Sequence, residues 1–379
     1  MTVVTYSDAD FTQGIDPILK SICEKLQLTA TQCRLAEDHY KAVGGWLEQD
    51  DSLLARYRPR IYPQGSLPMG ITNKPLERDE YDLDFICELQ IDCWETTPAD
   101  LFSKIEFRIS QHKDYKERME LGKRCIRLTY AHDFHLDIVP ACANAAAGEG
   151  QVRIPDRELQ NWKDTNSKQY VRWFNAIADH PQQYSNYRRD AEPLPSQEPF
   201  DAKSSLKFAV QLMKRHRDVA FSAEPDLAPA SIVLSTLAAE CYSGHSSVFV
   251  TVSEVLQAIQ SRILSSPGRL QVWNPANRVA EDLGERWEKN PAAYEAFKHW
   301  IWDFGKTWHS LEETRGLKEI SDILVYLFDE HPTREAIRED VLRLGQGRQS
   351  GLLGIAAGSG LLTTESPAIT VPRNTFYGQ

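Results

Sequence analysis

The segment that decides the fold is Tyr81-Asp82-Leu83-Asp84-Phe85-Ile86. Successive side chains of a β-strand point to opposite faces, so the alternate apolar residues would enter a core while Asp82 and Asp84 project together from the other face. Two neighbouring carboxylates repel each other, and such a pair is typical of a divalent-cation site, because Mg²⁺ prefers hard oxygen ligands. An isolated Asp-x-Asp is more often a solvated strand face, so the flanking sequence has to decide between the two interpretations.

A turn suited to phosphate binding precedes this strand. Residues 60–64, RIYPQ, have the composition of a strand and lead into Gly65-Ser66-Leu67-Pro68. Pro68 suits the first turn of a short helix, and the backbone N–H groups at such a turn, together with the Ser66 hydroxyl, can hold phosphate oxygens. The segment lacks the lysine of a Walker loop, and an ordinary structural turn is the alternative interpretation.

A third acid, Asp137, lies in the strand-like segment Phe134-His135-Leu136-Asp137-Ile138. The segment before it, residues 123–130 or KRCIRLTY, is also strand-like, and the connection between the two has the length of a hairpin turn. We expect an antiparallel neighbour in the sheet to bring Asp137 beside Asp82 and Asp84. Three carboxylates could then surround two metal ions, an arrangement that supports in-line displacement at phosphorus. His135 has no partner at metal-ligand spacing and is interpreted as a packing residue.

The remainder of the chain is mainly helical by its pattern. Apolar residues recur at three- and four-residue steps over residues 14–54 and again in long segments of residues 202–344, which predicts amphipathic helices. Residues 156–180 are also expected to be mostly helical. The prolines from Pro193 to Pro199 indicate a domain boundary. After Leu344 the sequence is rich in Gly, Ser and Thr without periodicity, which predicts a flexible tail.

Composition excludes several classes of protein. The 379 residues suffice for one large or two closely packed domains. The 43 Lys and Arg against 54 Asp and Glu give a net charge of −11, which argues against an extended surface for duplex DNA or an anionic membrane. The 7 cysteines are scattered without a CxxC pair, which favours buried free thiols over a zinc site or a disulfide framework. No segment has the pattern of a signal peptide or a membrane span, so we expect a cytoplasmic protein.

The joint occurrence of a Gly-Ser turn, an Asp-x-Asp strand and a later single Asp resembles the nucleotidyltransferase superfamily related to DNA polymerase β. Further segments extend the resemblance over about Pro63 to Trp287 and make it similar to the bacterial cGAS/DncV-like nucleotidyltransferases, the CD-NTases of CBASS antiphage systems. These segments are QGSLPMGITNKP (64–75), DEYDLDFI (79–86), HLDIVPA (135–141), LKFAVQLMKRHRD (206–218), PASIVLSTLAAE (229–240) and VWNPANRVAEDLGERW (272–287). Similarity to the oligoadenylate synthases is more distant.

This resemblance implies an α+β fold, with a mixed-sheet nucleotidyltransferase core, a helical second lobe and the active site in the cleft between them. We therefore expect N-terminal helices packing on the core over residues 1–60, the catalytic core over 61–192, the helical lobe over 193–344 and the tail over 345–379. It also implies an enzyme that condenses nucleoside triphosphates, ATP, GTP or others, into a cyclic di- or trinucleotide second messenger with release of pyrophosphate. The expected cofactor is Mg²⁺, two ions, with Mn²⁺ as the alternative metal.

The same resemblance assigns roles to particular residues. Asp82, Asp84 and Asp137 match the metal-binding catalytic acids. Six residues match nucleotide-binding positions: Gln64, Gly65 and Ser66 in the turn for the donor triphosphate, Lys214 for the phosphates, Ser231 for phosphate or ribose, and Asp282 facing the nucleotide. For the last three, a solvated helix charge, a helix cap and a structural cap or surface acid are the respective alternatives.

Partners and alternative functions also follow from the resemblance. We expect a product-activated effector protein and, for a tail ending Phe376-Tyr377-Gly378-Gln379, a C-terminal conjugation partner, with simple disorder as the alternative. The zinc-binding insertion of animal cGAS is missing, and Ile232 follows Ser231 where some relatives carry a base-stacking aromatic residue. A nucleotidyltransferase that makes linear oligonucleotides or modifies RNA or protein is the second enzyme hypothesis. A catalytically silent binding module is the third, which retention of all three acids disfavours.

Overall fold

The structure, a computed structural model, describes residues 8–76, 81–130, 134–158, 160–179, 200–277, 281–350, 352–355, 362–363 and 369–370. The chain divides into two units. The sheet unit comprises Leu28–Lys203 and Gln271–Glu285, and the helical unit comprises Met1–Gln27, Ser204–Leu270 and Arg286–Gln379. A mixed sheet in one unit and helices in the other confirm the expected α+β fold class.

The helices are α1 Asp8–Leu26, α2 Ala30–Glu48, α3 Pro98–Ser110, α4 Lys113–Arg118, α5 Ser167–Asp179, α6 Ser205–Ala220, α7 Ser231–Cys241, α8 Val248–Ser265, α9 Glu285–Lys289, α10 Pro291–Glu313, α11 Leu317–Phe328 and α12 Glu330–Gln349. The strands are β1 Arg60–Gln64, β2 Tyr81–Asp92, β3 Met119–Leu121, β4 Ile126–Tyr130, β5 Phe134–Ala143, β6 Val152–Asp156, β7 Asn161–Thr165, β8 Gly354–Ile355, β9 Leu362–Thr363 and β10 Ile369–Thr370.

Seven strands form the large sheet, in the order β1-β2-β5-β4-β3, with β6 pairing both β5 and β7. The antiparallel pairing of β4 with β5 confirms the expected hairpin, whose connecting residues 131–133 lie outside the described residues. The expectation of an antiparallel neighbour between Asp137 and the acid pair is wrong, because β2 and β5 run parallel. One edge of β5 is taken by its hairpin partner, and β2 reaches the other edge through a long connection that contains α3 and α4, as a parallel pair requires.

Alternation along the strands produces the two faces of the sheet. In β2 the side chains of Tyr81, Leu83 and Phe85 are buried and Asp82 is exposed, as the sequence pattern predicts. The buried set joins apolar residues of β4, β5, α2 and α3 in one core cluster. Helices therefore seal this face of the sheet. The opposite face carries a smaller apolar cluster around Tyr62, Ile86 and Val139 and leaves the acids beside it.

Local signals fix the ends of the helices that cover the sheet. Thr29 begins α2 with a capping box, in which the Gln32 N–H donates to Thr29 Oγ1 at 3.2 Å and the Thr29 N–H donates to Gln32 Oε1 at 2.9 Å. Thr97 caps α3 by accepting from the Asp100 N–H at 3.1 Å, and Pro98 fills the first helical turn.

The prediction of helix over residues 156–180 is only partly correct. Residues 161–165 form β7, an antiparallel partner of β6, and the helix α5 begins only at Ser167. The pairing of β6 with β5 extends the sheet, so tertiary pairing overrides the local helix preference here.

The segment Gln271–Glu285 joins the sheet unit although it is distant in sequence. Glu285 accepts from Arg124 Nη2 at 3.0 Å and also pairs with Lys163. The Gln151 side chain donates to the carbonyl of Ala276 at 3.4 Å. These contacts attach the segment to β7 and to the residues that precede β4 and β6.

In the helical unit, α6 is the central helix, and twelve consecutive residues from Ser205 to His216 are buried. It packs on α1, α7, α8 and α11. Aromatic residues of α10 complete this core: Phe297, Trp300, Phe304 and Trp308 are all buried. Within the described residues, no helix is both long and apolar enough to cross a bilayer.

The unit boundaries differ from the expected domain limits. The helix α1 groups with the helical unit, because it packs on α8 and α12 rather than on the sheet. The helix α12 continues past Leu344 to Gln349, and three short strands beyond it, β8 to β10, pair with one another, so parts of the expected tail are ordered by backbone hydrogen bonds. The expected boundary at Pro193 to Pro199 lies outside the described residues.

The buried His216 gives the helical unit a pH-dependent stability. Its Nδ1 accepts a hydrogen bond from Trp300 Nε1 at 2.8 Å, and burial lowers the pKa of His216 to about 3. Because this folded pKa lies below the ordinary value of about 6.5, the unfolded chain binds the proton first as the pH falls. The contribution of His216 to stability is therefore complete above about pH 6.5 and is lost as the pH falls toward 3.

We expect the variant His216→Asn, which retains a hydrogen-bond acceptor, to lose this pH dependence. Between pH 7 and pH 5 the free energy of unfolding of the parent protein should fall by about 2 kcal/mol more than that of the variant. Urea unfolding at the two pH values measures the difference. The same pH dependence in both proteins would contradict a neutral, buried His216.

Candidate active site

Four polar side chains form one row across four neighbouring strands. Gln64 of β1 is in register with Asp84 of β2, Asp84 is in register with Asp137 of β5, and Asp137 is in register with Arg127 of β4. Directly paired residues on adjacent strands project from the same face of a sheet. The row therefore lies on one face, and Asp82 projects from the same face two residues before Asp84.

The turn after β1 lies directly against the second acid. Gly65 has a φ of 72°, and a Cβ at this position would lie 2.7 Å from Asp84 Oδ2. The left-handed backbone favours glycine, and a larger residue would have to displace the Asp84 carboxylate. Ser66 Oγ lies 3.2 Å from Thr72 Oγ1, and the Ile71 N–H donates to the Ser66 carbonyl at 3.1 Å.

Two distant residues brace this turn. The Asn175 side chain of α5 donates to the Pro68 carbonyl at 3.1 Å, and Lys203 Nζ donates to the Gly70 carbonyl at 2.8 Å. The turn is thus held by the helix α5 and by Lys203. The backbone N–H groups of a turn that is braced in this way need little reorganisation before they can donate to a ligand.

Arg127 completes the row as the counter-charge of the acids. Its Nε and Nη2 donate to Asp137 Oδ1 and Oδ2, both at 2.7 Å, and Nη2 also lies 3.5 Å from Asp82 Oδ1. The Asp137 side chain is only 9% exposed, whereas that of Asp82 is 60% exposed. The hydrogen bonds to Asp137 raise the pKa of Arg127, so the guanidinium stays charged.

Cys125 borders the same acids but does not supply a reactive thiolate. Burial, followed by the negative charge of Asp137, raises the pKa of Cys125 to about 12. The thiol is therefore neutral near pH 7 and packs beside the apolar cluster of Tyr62 and Ile86.

The donor types of the row fit a divalent cation. Asp82, Asp84 and Asp137 offer only hard carboxylate oxygens, two of them on directly paired strand positions, which is the chemistry that Mg²⁺ or Mn²⁺ takes. In the part of the chain that the structure describes, no group of three His, Cys, Asp or Glu side chains converges as a metal cage. At Asp137 both carboxylate oxygens accept hydrogen bonds from Arg127.

The other sequence-predicted site residues lie in two places. Lys214 of α6 and Ser231, the first residue of α7, belong to the helical unit. Lys214 is largely buried, and the Ser231 hydroxyl accepts from Arg217 Nη1 at 2.5 Å. Ser231 does not cap its helix, because the N-cap position is Ala230.

Asp282 belongs to the sheet unit and contacts its own turn. Its Oδ1 accepts from the Gly284 N–H at 2.8 Å, and its backbone forms an isolated antiparallel bridge with Trp273. The side chain therefore stabilises the turn before Glu285.

Sequence reasoning missed Arg127, although the signal was present. A hairpin centred on residue 132 pairs Tyr130 with Phe134, and the same register places Arg127 opposite Asp137. The register of the expected hairpin therefore implied the pairing of Arg127 with Asp137. The contact with Asp82 was not implied, since it depends on the parallel pairing of β2 with β5.

Known proteins resemble this chain in sequence and in fold. The sequence model of the Second Messenger Oligonucleotide or Dinucleotide Synthetase domain matches residues 15–177. A c-di-GMP synthase of Roseivirga ehrenbergii is 29% identical over 372 residues, which are 96% of this chain and 97% of that protein. The cyclic dinucleotide synthase CdnG of Bradyrhizobium diazoefficiens is 26% identical over 396 residues, which cover 96% of this chain and 92% of that protein.

A solved structure shares the fold. The Bradyrhizobium diazoefficiens CD-NTase CdnG in complex with GTP matches with a TM-score of 0.71 at 23% identity, over 86% of this chain and 98% of that chain. Together these similarities define a nucleotidyltransferase. These findings support the resemblance to the cGAS/DncV-like nucleotidyltransferases, the CD-NTases, that the motifs indicate. Nucleotidyltransferases of this kind generally use divalent metal ions.

Replacing Gly65 tests the close approach of the turn to Asp84. We expect Gly65→Ala to reduce nucleotidyl transfer by about 100-fold, because the added methyl group displaces the Asp84 carboxylate and strains a left-handed backbone. The matched control is Gly45→Ala in α2, where a Cβ meets nothing within 4 Å. Initial rates and thermal unfolding of both variants provide the measurement. Parent-like activity in Gly65→Ala would contradict a functional contact between the turn and the acid.

Proposed function

We propose that this chain is a cyclic dinucleotide synthase that condenses two nucleoside triphosphates, with GTP as its first substrate, and releases pyrophosphate. The observation that carries the proposal is the row of Gln64, Asp84 and Asp137 beside the glycine turn. Two relatives that align over nearly the whole chain are named as a c-di-GMP synthase and a cyclic dinucleotide synthase, which supports this choice of product.

In this proposal Asp82, Asp84 and Asp137 hold two Mg²⁺ ions. When bound, the ions would lower the pKa of the attacking hydroxyl and neutralise charge on the leaving group. The acids supply this site because they are fixed on two adjacent strands whose other faces are packed in the core. Their positions therefore depend on the sheet rather than on a mobile loop.

The turn at Gly65 and Ser66 binds the triphosphate of the donor nucleotide. Its backbone N–H groups can approach phosphate oxygens closely because Gly65 has no side chain. Lys214 and Ser231, from the helical unit, are proposed as further contacts to phosphate and ribose, and Asp282 as a contact near the nucleotide. The Asp282 carboxylate also accepts a hydrogen bond from the Gly284 N–H.

The reaction is an in-line displacement. A ribose hydroxyl oxygen of the acceptor forms a bond to the α-phosphorus of the donor, the bond from that phosphorus to the β-phosphate oxygen breaks, and pyrophosphate leaves. Asp137 accepts the proton of the attacking hydroxyl. A second transfer within the linear intermediate closes the ring, because the remaining triphosphate then becomes the donor.

We further propose a role in antiphage defence, in which the cyclic product activates an effector protein in the cytoplasm. This role and a C-terminal conjugation partner follow from the resemblance to the CD-NTases. The structural observations at the row of acids support the chemistry and are independent of the partner.

Product analysis tests the proposal. With GTP and Mg²⁺, the protein should give a product that resists phosphatase and has the mass of a cyclic dinucleotide. Asp84→Asn should reduce product formation by at least about 1000-fold while the fold is retained, since it removes a ligand charge from the site. The control is Asp92→Asn, at the other end of the same strand.

Mass spectrometry and circular dichroism provide the two readouts. Phosphatase-sensitive chains as the sole product would favour a synthase of linear oligonucleotides. Full activity in Asp84→Asn would contradict the assignment of the acids.

A further inference from the structure

Asp137, one of the proposed metal ligands, forms an ion pair with Arg127. Both carboxylate oxygens accept from the guanidinium at 2.7 Å, in the bidentate geometry that makes such pairs strong. The two residues are also directly paired in the β4–β5 register, so the contact is fixed by the backbone as well as by the side chains. The Asp137 carboxylate is nearly buried, which limits screening by water.

The same guanidinium reaches a second acid on another strand. Nη2 of Arg127 lies 3.5 Å from Asp82 Oδ1, although β5 separates their two strands in the sheet. The single positive charge of Arg127 therefore pairs with two of the three carboxylates. It occupies the oxygens that a divalent cation would need.

We propose that Arg127 is an intramolecular competitor of the metal: it neutralises Asp137 and Asp82 in the metal-free protein and must release Asp137 before the divalent cations bind. This inference rests on the proposed role of the acids as metal ligands. Arg127 is a positioning residue in this scheme, because it acts on the acids rather than on the reacting atoms. Its presence sets the metal concentration that the enzyme requires.

Two physical effects of Arg127 oppose metal binding. Displacing the guanidinium breaks two charge-assisted hydrogen bonds, which opposes metal binding. The positive charge near the acids also repels the incoming cation. If Arg127 instead only held Asp137 in place as a ligand, its removal would weaken metal binding. The two roles therefore predict opposite changes in metal affinity.

Binding of Mn²⁺ to the full, nucleotide-free chain tests the proposal, with isothermal titration calorimetry and electron paramagnetic resonance of free Mn²⁺ as readouts. We expect Arg127→Gln to bind Mn²⁺ about five- to tenfold more tightly than the parent protein, because a competing cation worth about 1 kcal/mol or slightly more is removed. Arg127→Lys keeps the charge but loses the bidentate fork, so its affinity should lie between the two.

Thermal unfolding supplies a second readout. Without metal, Arg127→Gln should be less stable than the parent protein, and saturating Mn²⁺ should raise its melting temperature by more than it raises that of the parent. The control is Arg153→Gln in β6, which breaks a comparable ion pair with Asp164 away from the acids and should leave Mn²⁺ affinity unchanged.

The outcomes separate this inference from the proposed function. Unchanged or weaker Mn²⁺ binding in folded Arg127→Gln and Arg127→Lys, with binding lost in Asp84→Asn, would overturn the inference and leave the metal site intact. If Arg127→Gln does not fold, Arg127→Lys alone decides by the same criterion. Mn²⁺ binding that survives in Asp84→Asn, or is absent from the parent protein, would overturn the metal assignment itself and the inference with it.

Discussion

Electrostatic repulsion between Asp84 and Asp137 is the constraint on which the site depends. Their strands are directly paired, and adjacent strands lie only about 4.8 Å apart, so two negative charges face the same space. A cation has to balance them. In the described structure this cation is Arg127, which is paired with Asp137 in the same row. Gly65 lies against Asp84 on the side away from Asp137, and a Cβ at this position would lie 2.7 Å from Asp84 Oδ2.

The rest of the sheet unit serves to keep this row in place. One face of the sheet is sealed by α2 and α3 over a continuous apolar core, so the strands cannot slip without exposing that core. A slip of one residue would also turn every acid into the core, which adds a large desolvation cost. The helix α5 also braces the turn that follows β1, because the Asn175 side chain donates to the Pro68 carbonyl. Packing of the core on one face of the sheet therefore fixes the positions of the acids on the other face.

Much of this arrangement follows from the sequence, and the exceptions share a physical cause. The alternation correctly predicted that Tyr81, Leu83 and Phe85 are buried and that Asp82 is exposed, because period two is a local property of a strand. It did not predict the burial of Ile86, which lies on the same face as the acids and packs in the second apolar cluster. Local patterns carry no information on which distant strands meet, and the parallel pairing of β2 with β5 was accordingly missed. The strand at Asn161–Thr165 and the ion pairs of Glu285 likewise depend on partners far along the chain. The site roles of Lys214 and Ser231 stay predictions.

The assignment of the acids as the metal site is tested most directly by anomalous X-ray diffraction from crystals of the full chain grown with Mn²⁺ and a non-hydrolysable GTP analogue. We predict manganese peaks at about 2.0–2.2 Å from carboxylate oxygens of Asp82, Asp84 and Asp137, with the phosphates of the analogue at the turn of Gly65 and Ser66. Bound nucleotide without manganese at these three acids, or manganese bound elsewhere in the chain, would contradict it.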